Sequence, residues 1–454
     1  MKEVWKKGFL YVLSVLWVFS FTPISPPPEF SHVSWQNSGF GPQALAKKKK
    51  KKKQKTARAG RTNHLSPKRK GKVISMDFKV TPEIKPAVDF WIMVYSKYDR
   101  NYEIFHDTEK LGMVYSVLDF SDLYNNDALT RKERLALFRP RLKAEEDRII
   151  AMLQRIHENQ YQPDRLSKEE RRIFEKFKDD PNPDKFLEAA HPKRVRAQTG
   201  IQNKFIQAIQ TSGAYIEEFE DIFMGYGLPI ELTRLVFVES MFNTKARSKV
   251  GASGLWQFMP STGRLFGLSA NKYMDERNEP YLATHAAARL LLSNYESLGT
   301  WPLAINAYNS GRATMHRAVA ATGTTDIGTI INTYRGGVYK FASRNFYPSF
   351  LAALEVANNY PKYFGKLPRD KKLQYDTHIL ESSVFLSDLA SAAGVNSFEL
   401  MDLNPHFSNR VLNDQVKIPS GYALKIPKGT RNQIAEAELT AAQSYESLVR
   451  KKRR

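Results

Sequence analysis

Glu239 is the residue of this 454-residue chain whose type and surroundings are best suited to chemistry. It follows the apolar run Leu235–Val238, so a buried helix is predicted to end near its carboxyl group. An ionised carboxylate costs free energy when it is buried without a partner. Burial therefore raises a carboxyl pKa and produces a general acid that works near neutral pH. The local sequence alone favours a plainer interpretation, an ordinary and partly exposed helical glutamate.

A loop with two glycines, from Gly251 to Pro260, follows this glutamate. The glycines predict a tight turn that presents Gln257, whose amide can donate to and accept from the amide or hydroxyl groups of a sugar. Trp256 and Phe258 flank Gln257, and their rings are suited to packing on sugar faces. Packing in the core is the more common role of such rings. Ser261 is predicted to cap the next helix.

A phenol and an amide come together at Tyr308 and Asn309. They end a helix that Trp301 and Pro302 open and that the sequence Asn-Ser-Gly stops. A helix end of this kind places both polar groups at a turn, where a ligand can reach them. The pair therefore extends the set of candidate site residues.

Two further elements must position these groups. Pro229 predicts the first turn of a helix that runs to Ser240. Asp275 is predicted to cap a segment that leads into a helix over Tyr281 to Leu298. His285 lies on the apolar stripe of that helix, where a lone histidine is more often packed or hydrogen-bonded than a ligand.

The motifs Val238-Glu239-Ser240, Gly254–Pro260 and Ala307–Asn309 resemble those of lytic transglycosylases with a goose-lysozyme-like (SLT) domain. The residues Gly227-Leu228-Pro229 and Asp275-Glu276-Arg277 fit the same pattern. Each motif is weak alone, but their order and spacing together are highly specific. The resemblance covers residues 227–366 and implies an α+β, lysozyme-like catalytic domain.

The resemblance implies that the chain cleaves the β-1,4 bond between N-acetylmuramic acid and N-acetylglucosamine in peptidoglycan. Glu239 would be the single catalytic acid and base, and the product would be a 1,6-anhydromuramyl end. No metal or organic cofactor is implied. The implied substrate-binding residues are Ser240, Gln257, Phe258, Met259, Tyr308, Asn309 and Tyr347.

Tyr347 is included because the sequence departs from the family near Pro348. The family usually has a tyrosine in a late helix, before a proline-containing segment, and Phe346 stands at the aligned position. Either Tyr347 takes over the role of that tyrosine or the role is missing. We expect Tyr347 to serve.

Two alternatives stay open. A lysozyme-type muramidase would need a second carboxylate that holds water opposite Glu239, and Asp275 and Glu276 are the candidates. A catalytically inactive wall-binding protein would fit Phe346, but it would not need the retained site residues. A nucleic-acid binder would explain only a basic tail.

Residues 374–428 resemble a divergent LysM module, a small glycan-binding α/β unit. Helices are predicted over Ser387–Ala393 and Ser397–Asn404, with a short apolar run on each side. The usual Gly-Asp-Thr opening is replaced by Glu381-Ser382-Ser383, so a structural remnant is an equal alternative. Residues 432–454 predict a polar helix and a basic tail.

Residues 73–226 are expected to form a mainly helical accessory region. Two strands, Tyr102–Phe105 and Met113–Leu118, flank turn-prone residues and predict a small hairpin. Leu135–His157 predicts a helix, and apolar residues recur at near-helical spacing from Ile201 to Ile222. The expected fold class of the whole chain is therefore mainly α.

The N-terminus resembles an export signal. Three early lysines precede an apolar run of fourteen residues, Gly8–Phe21, which suits a signal peptide or an anchor over residues 1–22. Residues 23–72 predict a disordered, basic linker. Its run Lys47–Lys53 suits loose attraction to membranes or other anionic surfaces. We expect an exported, periplasmic monomer, either free or held by an uncleaved N-terminal segment.

Composition limits other functions. The net charge is +22, but residues 47–72 hold fourteen Lys or Arg and no acidic residue, so the rest of the chain carries only about +8. The basic excess therefore says little about the folded part, and no specific nucleic-acid partner is expected. The chain has no cysteine, which excludes disulfides and thiolate chemistry.

Overall fold

The computed structural model describes residues 78–440. The predicted signal or anchor over residues 1–22, the linker over 23–72 and the tail beyond 440 lie outside this range. Within residues 78–440, no helix combines the length and apolar character that a membrane span requires. The fold is mainly α, as the sequence predicts.

The first half of the described chain alternates helices with a small sheet. The α-helices are α1 (Lys85–Ser96), α2 (Ser121–Tyr124), α3 (Arg131–Glu158), α4 (Lys168–Lys176), α5 (Lys185–Ala189), α6 (Gln202–Ser212) and α7 (Ile216–Gly225). The strands are β1 (Tyr102–Asp107), β2 (Val114–Asp119) and β3 (Val195–Thr199). A 3₁₀ turn spans Pro163–Arg165.

The predicted hairpin is confirmed, and a third strand joins it. β1 pairs antiparallel with β2 and, on its other edge, with β3. Successive side chains of a strand point to opposite faces. Ile104 accordingly packs into the largest core of the protein, and Phe105 packs against α3–α5 in a smaller core. The sheet therefore has a core on each face.

The second half is a helical bundle followed by a small unit. Its α-helices are α8 (Leu235–Glu239), α9 (Pro260–Leu265), α10 (Pro280–Leu298), α11 (Trp301–Ser310), α12 (Arg312–Thr322), α13 (Ile327–Thr333), α14 (Phe341–Asn358) and α15 (Tyr360–Phe364). 3₁₀ turns span Ile230–Arg234 and Glu276–Asn278.

The largest core, here called the main core, runs through both halves. α1 packs along α14, and the Trp91 indole N–H donates to the Asn345 side chain over 2.7 Å. Phe205 of α6 stacks on Phe237 of α8 with ring centroids 5.1 Å apart. The boundary expected at residue 227 therefore does not separate two cores, because α1, α6 and α7 belong to the core of the bundle.

Residues 99–200, here called the insertion, leave the main core and return to the same place. The amide of Ile201 donates to the carbonyl of Val94 over 3.0 Å, and that of Gln202 donates to Tyr98 over 3.0 Å. The insertion carries the sheet and α2–α5. Its own core is centred on residues such as Ile149, Phe177 and Phe186.

Residues 375–440, here called the C-terminal unit, have a third core. Its elements are β4 (Tyr375–Ile379), α16 (Leu386–Ala393), α17 (Ser397–Leu403), α18 (Asn409–Leu412), β5 (Ala423–Pro427) and a helix over residues 431–440. β4 and β5 pair antiparallel. Both helices predicted between them are present, within one residue of the expected ends.

The helix over residues 431–440 packs back on the C-terminal unit. Ile434 and Ala437 are buried in its core, and the Glu438 carboxylate accepts from His378 over 2.8 Å. The unit therefore extends beyond the boundary expected at residue 428.

Candidate active site

Glu239 is the last residue of α8, at the point where the backbone bends sharply. The predicted single helix from Pro229 to Ser240 is instead a 3₁₀ turn followed by α8. Met241 and Phe242 then adopt left-handed conformations, with φ of 52° and 53°. Such conformations are strained for bulky residues and persist only where the surrounding structure enforces them. The bend therefore fixes the position at which α8 presents its carboxyl group.

The Glu239 carboxyl group is largely surrounded by protein and has no partner among residues 78–440. The four residues before it are buried, while Glu239 itself keeps a partly exposed surface. Within residues 78–440, no hydrogen bond or ion pair to its carboxyl oxygens is formed. Burial raises the pKa of the Glu239 carboxyl to about 8, and no neighbouring charge contributes to that shift. The group is therefore protonated at neutral pH, as a general acid must be.

Tyr308 connects Glu239 to the loop that follows. Its hydroxyl donates to the backbone carbonyl of Trp256 over 2.8 Å. Burial raises the pKa of Tyr308 well above its usual value, and the negative charge of an ionised Glu239 contributes a smaller increase. The ring lies parallel to Phe346 at 6.5 Å and meets Phe258 edge-on at 6.3 Å. The structure therefore brings Tyr308 and Glu239 together and holds the tyrosine between two buried rings.

The 251–259 loop is folded tightly by its glycines and by Gln257. Gly254 has a φ of 81°, and a Cβ there would lie 1.9 Å from the carbonyl oxygen of Arg277. Gln257 also has a positive φ, 48°. Its amide nitrogen donates to the carbonyls of Ala246 and Gly254 over 3.2 and 2.8 Å. Only the carbonyl oxygen of the Gln257 side chain is left for a ligand. Gln257 can therefore accept a hydrogen bond from a sugar, but its amide nitrogen, which was predicted to donate one, is already engaged.

The aromatic residues of this loop pack inward. Trp256 and Phe258 are 0% and 2% exposed, and the Trp256 indole N–H donates to Thr284 over 2.8 Å. Phe258 therefore supports Tyr308 and has no open face for a sugar. Met259, by contrast, is 37% exposed.

The remaining predicted site residues, Asn309, Ser240 and Tyr347, differ in burial and in hydrogen-bond partners. Asn309 accepts from the Ser343 hydroxyl over 3.1 Å and keeps its amide nitrogen for a ligand. Ser240 is buried, and its hydroxyl points to the carbonyl of Val236 at 3.4 Å. Tyr347 is buried beside Phe350, with ring centroids 6.3 Å apart. Phe346, and not Tyr347, is the residue that stacks on Tyr308, and a site role for Tyr347 stays a prediction.

Arg277 belongs to one of the motifs that carry the resemblance, but no role was predicted for it. The structure shows that its buried guanidinium donates to the carbonyls of Gly251 and Phe258 over 2.7 and 2.9 Å, at opposite ends of the loop. It also forms two bonds with the Asp275 carboxylate, of 2.9 and 2.7 Å. The role of Arg277 follows from the backbone carbonyls that surround its buried guanidinium. The sequence alone does not show that these carbonyls lie nearby.

Two local predictions near the loop have different outcomes. Asp275 caps the Glu276–Asn278 turn by accepting from the amide of Arg277, as predicted. The prediction that Ser261 caps the next helix is wrong. α9 begins at Pro260, with Met259 at the cap position, because proline is favoured in the first turn where its missing N–H is not needed.

The candidate second carboxylates are engaged elsewhere. Asp275 is paired with Arg277, and Glu276 accepts from the amide of Ser269 over 2.7 Å. Neither contributes to the pKa shift of Glu239. Among residues 78–440, no three His, Asp or Glu side chains converge in a way that could hold a metal ion.

The arrangement of Glu239, Tyr308 and the 251–259 loop agrees with the comparison of the sequence with known families. Residues 224–331 match the model of the transglycosylase SLT domain. We call the matched part of the chain the SLT domain, after the family whose model it matches. The matched residues include the bend after α8, the whole 251–259 loop and the Tyr308 helix α11, so the SLT domain contains all the site residues except Tyr347.

Relatives of known name extend the match beyond the SLT domain. Membrane-bound lytic murein transglycosylase D of Escherichia coli (strain K12) is 29% identical over 230 residues, which are 48% of this chain and 48% of that protein. The protein of the same name from Escherichia coli O6:H1 matches equally. A putative tributyltin chloride resistance protein of Alteromonas sp. (strain M-1) is 35% identical over 94 residues, 20% of this chain and 45% of that protein. The chain thus spans about half the length of the curated relatives it matches.

Proposed function

We propose that this protein is a lytic transglycosylase that cleaves the β-1,4 bond between N-acetylmuramic acid and N-acetylglucosamine in peptidoglycan. The observation that carries the proposal is the carboxyl group of Glu239, which has no partner among residues 78–440 and lies within the residues that match the SLT model, where burial raises its pKa to about 8. The relatives' names specify murein as the polymer on which those proteins act.

Glu239 would act first as an acid and then as a base. It gives its proton to the leaving glycosidic oxygen as the bond from that oxygen to the muramyl anomeric carbon breaks. The muramyl acetamido group stabilises the cationic centre. The Glu239 carboxylate then takes the proton of the muramyl 6-hydroxyl, whose oxygen bonds to the anomeric carbon. The product is a 1,6-anhydromuramyl end, no water is consumed, and Glu239 regains its proton.

The substrate would be held by polar groups around this carboxyl. The Gln257 carbonyl oxygen and the Asn309 amide nitrogen are the groups left for hydrogen bonds to sugars. Exposed Met259 would offer an apolar contact. Phe258 would act by holding Tyr308. Ser240 and Tyr347 complete the proposed site, although both are buried in the free protein.

Hydrolysis is the second candidate, and the surroundings of Glu239 speak against it. An inverting or retaining hydrolase needs another carboxylate within about 5–10 Å of the acid. Asp275 and Glu276 are each engaged by other groups, and burial alone accounts for the raised pKa of Glu239. Intramolecular attack by the 6-hydroxyl requires no second carboxylate.

The C-terminal unit and the location of the protein complete the proposal. An envelope-associated protein is consistent with the relatives' description as membrane-bound. We propose export to the periplasm, where the chain meets peptidoglycan, with a LysM-like C-terminal unit that adds affinity for glycan.

Digestion of purified sacculi tests the activity. Wild type, Glu239→Gln and the control Glu296→Gln are incubated with sacculi, and product ends are identified by mass spectrometry. Glu296 is exposed on α10, so its substitution changes one carboxylate of the SLT domain outside the site. We expect anhydromuramyl ends from the wild type and the control, and none from Glu239→Gln. Reducing ends would indicate hydrolysis, and no release by the wild type would refute the proposal.

A further inference from the structure

The C-terminal unit is docked on the SLT domain by a buried ion pair. The ammonium group of Lys425, on β5, contacts the Glu279 carboxylate, whose side chain is 5% exposed. Glu279 also caps α10, because its other oxygen accepts from the amide of Leu282 over 2.6 Å. Burial alone would raise the pKa of Glu279, but Lys425 and then His406 lower it below its usual value. Glu279 is therefore a charged, fully engaged group at the junction.

Two aromatic rings enclose the same ammonium group. Lys425 lies 4.4 Å from the ring centroid of Tyr281, in α10, and 4.7 Å from that of Tyr375, in β4. Cation–π contacts of a desolvated lysine add to an ion pair. Since one ring comes from each side of the junction, Lys425 is held by both the SLT domain and the C-terminal unit.

Backbone pairing extends the junction toward the 251–259 loop. The amide of Asp275 donates to the carbonyl of His406 over 2.7 Å, and the amide of Ser408 donates to Tyr273 over 2.8 Å. The Ser408 hydroxyl donates to the carbonyl of Lys272 over 2.7 Å. Residues 272–279 are thus held along one side by the C-terminal unit.

The other side of residues 272–279 carries the 251–259 loop. The Arg277 side chain bonds both ends of that loop, and its backbone carbonyl leaves no room for a side chain at Gly254. Ser253 donates to the Asn278 side chain over 2.7 Å. The backbone carbonyl of Trp256, in this loop, accepts a hydrogen bond from the Tyr308 hydroxyl. A continuous set of contacts therefore runs from the C-terminal unit to Tyr308, which lies beside Glu239.

We propose that Lys425 is a positioning residue for the active site: by pairing with Glu279 it holds residues 272–279, and through them the 251–259 loop, in the geometry that the reaction needs. The C-terminal unit is then an intramolecular brace of the SLT domain, whether or not it binds glycan. The catalytic part of this inference rests on the proposed function, and its structural part does not.

Hydrogen exchange in the full chain tests the structural part. Several amides of the 251–259 loop are hydrogen-bonded, such as Gly254 to Ala246 over 2.9 Å, and are protected while the loop is held. Lys425→Met removes the charge and keeps an apolar stem. Lys425→Arg keeps the charge, and Lys428→Met removes an exposed lysine just after β5 as the control. We expect faster exchange over residues 251–259 in Lys425→Met and wild-type protection in the other two.

A double variant separates loss of the ion pair from general destabilisation of the protein. Lys425→Met leaves the buried Glu279 carboxylate unpaired, which is strongly destabilising. Glu279→Gln with Lys425→Met removes that charge while keeping a carbonyl oxygen to cap α10, and it should also show faster loop exchange. Unchanged exchange over residues 251–259 in both variants overturns the inference. Faster exchange spread evenly over the SLT domain also overturns it, because a loss of global stability has that effect.

Kinetics on glycan strands tests the catalytic part. A loop displaced by a fraction of an ångström should lower kcat by about tenfold or more, with a smaller change in KM, and Lys425→Arg should restore it. Equal kcat in wild type and Lys425→Met overturns this part. A wild type that cuts no glycan, together with the expected exchange result, refutes the proposed function and leaves the positioning role of Lys425 standing.

Discussion

At the scale of single residues, Glu239 differs from other buried acidic groups of this protein. Asp107 is fully buried and accepts from Arg194 and Tyr115 over 2.7 and 2.8 Å. Glu279 has Lys425 and a helix terminus. Glu239 has neither a cation nor a donor within residues 78–440. The fold can evidently supply partners to buried carboxylates, so the isolation of Glu239 keeps the neutral, proton-donating form available.

The pH dependence of activity should reflect this isolation. The first step needs protonated Glu239, and burial raises the pKa of that group to about 8. We therefore expect kcat/KM to hold through neutral pH and to fall as pH rises above about 8. The measurement is the rate of glycan cleavage from pH 5 to 10 at low substrate, where kcat/KM reports the free enzyme. A fall already complete near pH 5 would contradict the assignment.

Thermal unfolding provides a control that does not depend on activity. The folded-state pKa of Glu239 is raised, so between its usual value and about 8 the folded protein holds a proton that the unfolded chain has released. The stability from this group is complete at low pH and is lost as pH rises through about 8. The Tm of Glu239→Gln relative to wild type should therefore increase over this window, by a few degrees.

Tyr308 gives a second prediction for a single residue. Tyr308→Phe removes the bond to the Trp256 carbonyl but keeps the ring between Phe346 and Phe258. Loss of one such bond is worth about 1 kcal/mol, so kcat/KM should fall about fivefold. Tyr295→Phe is the control, since Tyr295 lies on α10 with its ring stacked on Trp301. Equal effects of the two variants on glycan cleavage would count against a site role for Tyr308.

At the scale of structural elements, two glycines of the 251–259 loop allow a matched comparison. Gly251 and Gly254 both have positive φ, 92° and 81°. A Cβ at Gly251 would meet no atom within 4 Å, whereas one at Gly254 would lie 1.9 Å from the Arg277 carbonyl oxygen. Gly251→Ala should cost about 1–2 kcal/mol of stability from backbone strain alone.

Gly254→Ala carries the same strain and must also move the backbone of Arg277. It should cost about 3 kcal/mol or more, and kcat should fall because the loop shifts. Urea unfolding and glycan cleavage, measured on both variants, check this expectation. If Gly251→Ala proves as harmful as Gly254→Ala, the close approach to Arg277 is not what holds the loop.

Local sequence predicted most elements but not the breaks between them. The hairpin strands and the helices of the C-terminal unit were predicted from alternation and periodicity, which local side chains determine. β3 was missed because Val195–Thr199 is short and Val195 is its only large apolar residue. The division of the predicted helix into a 3₁₀ turn and α8 was also missed, because apolar spacing does not distinguish the two kinds of turn.

The site residues were predictable to different degrees for the same reason. Glu239 and Tyr308 were predicted as site residues because they lie in motifs of recognisable order and spacing. Their proximity was expected from the fold that the resemblance implies. The Gln257 amide donates to the carbonyls of Ala246 and Gly254, and its φ is positive; the local sequence specifies neither feature. The role of Arg277 depends on carbonyls that lie about 20 residues earlier in the chain, and only the packed structure shows it.

At the scale of the whole molecule, two ion pairs of Glu109 join the insertion to the helical bundle. The Glu109 carboxylate, in the turn after β1, accepts two bonds from Arg344 of α14, of 2.8 and 2.9 Å. Arg335 approaches the same carboxylate at 3.1 Å. The two arginines differ in exposure, since their side chains are 4% and 46% exposed.

Burial should decide which arginine contributes to stability. Arg344→Met should lower the free energy of unfolding by about 2 kcal/mol, as expected for buried bonds to a charged group. Arg335→Met should change it by at most about 1 kcal/mol, because exposed ion pairs are weak. Urea unfolding of the two variants measures the difference. Equal losses would show that burial does not decide how much each arginine contributes.

The organisation of the whole chain was less predictable than its elements. Periodicity from Ile201 to Ile222 predicted helices, but it could not show which core they join. The structure assigns α1, α6 and α7 to the main core and gives residues 99–200 a core of their own, although Ile104 of β1 packs in the main core. Apolar spacing specifies a buried face and not its partner, so it could not show that the main core crosses the boundary expected at residue 227.

The meeting of the two ends of the insertion has a consequence for the history of this protein. Because the amide of Ile201 bonds to Val94, the chain leaves and re-enters the bundle at neighbouring points. A short loop could bridge this gap without rerouting any helix. Gain, exchange or loss of residues 99–200 would therefore leave the order of the bundle's helices unchanged and would affect the bundle only at contacts such as those of Ile104 and Glu109.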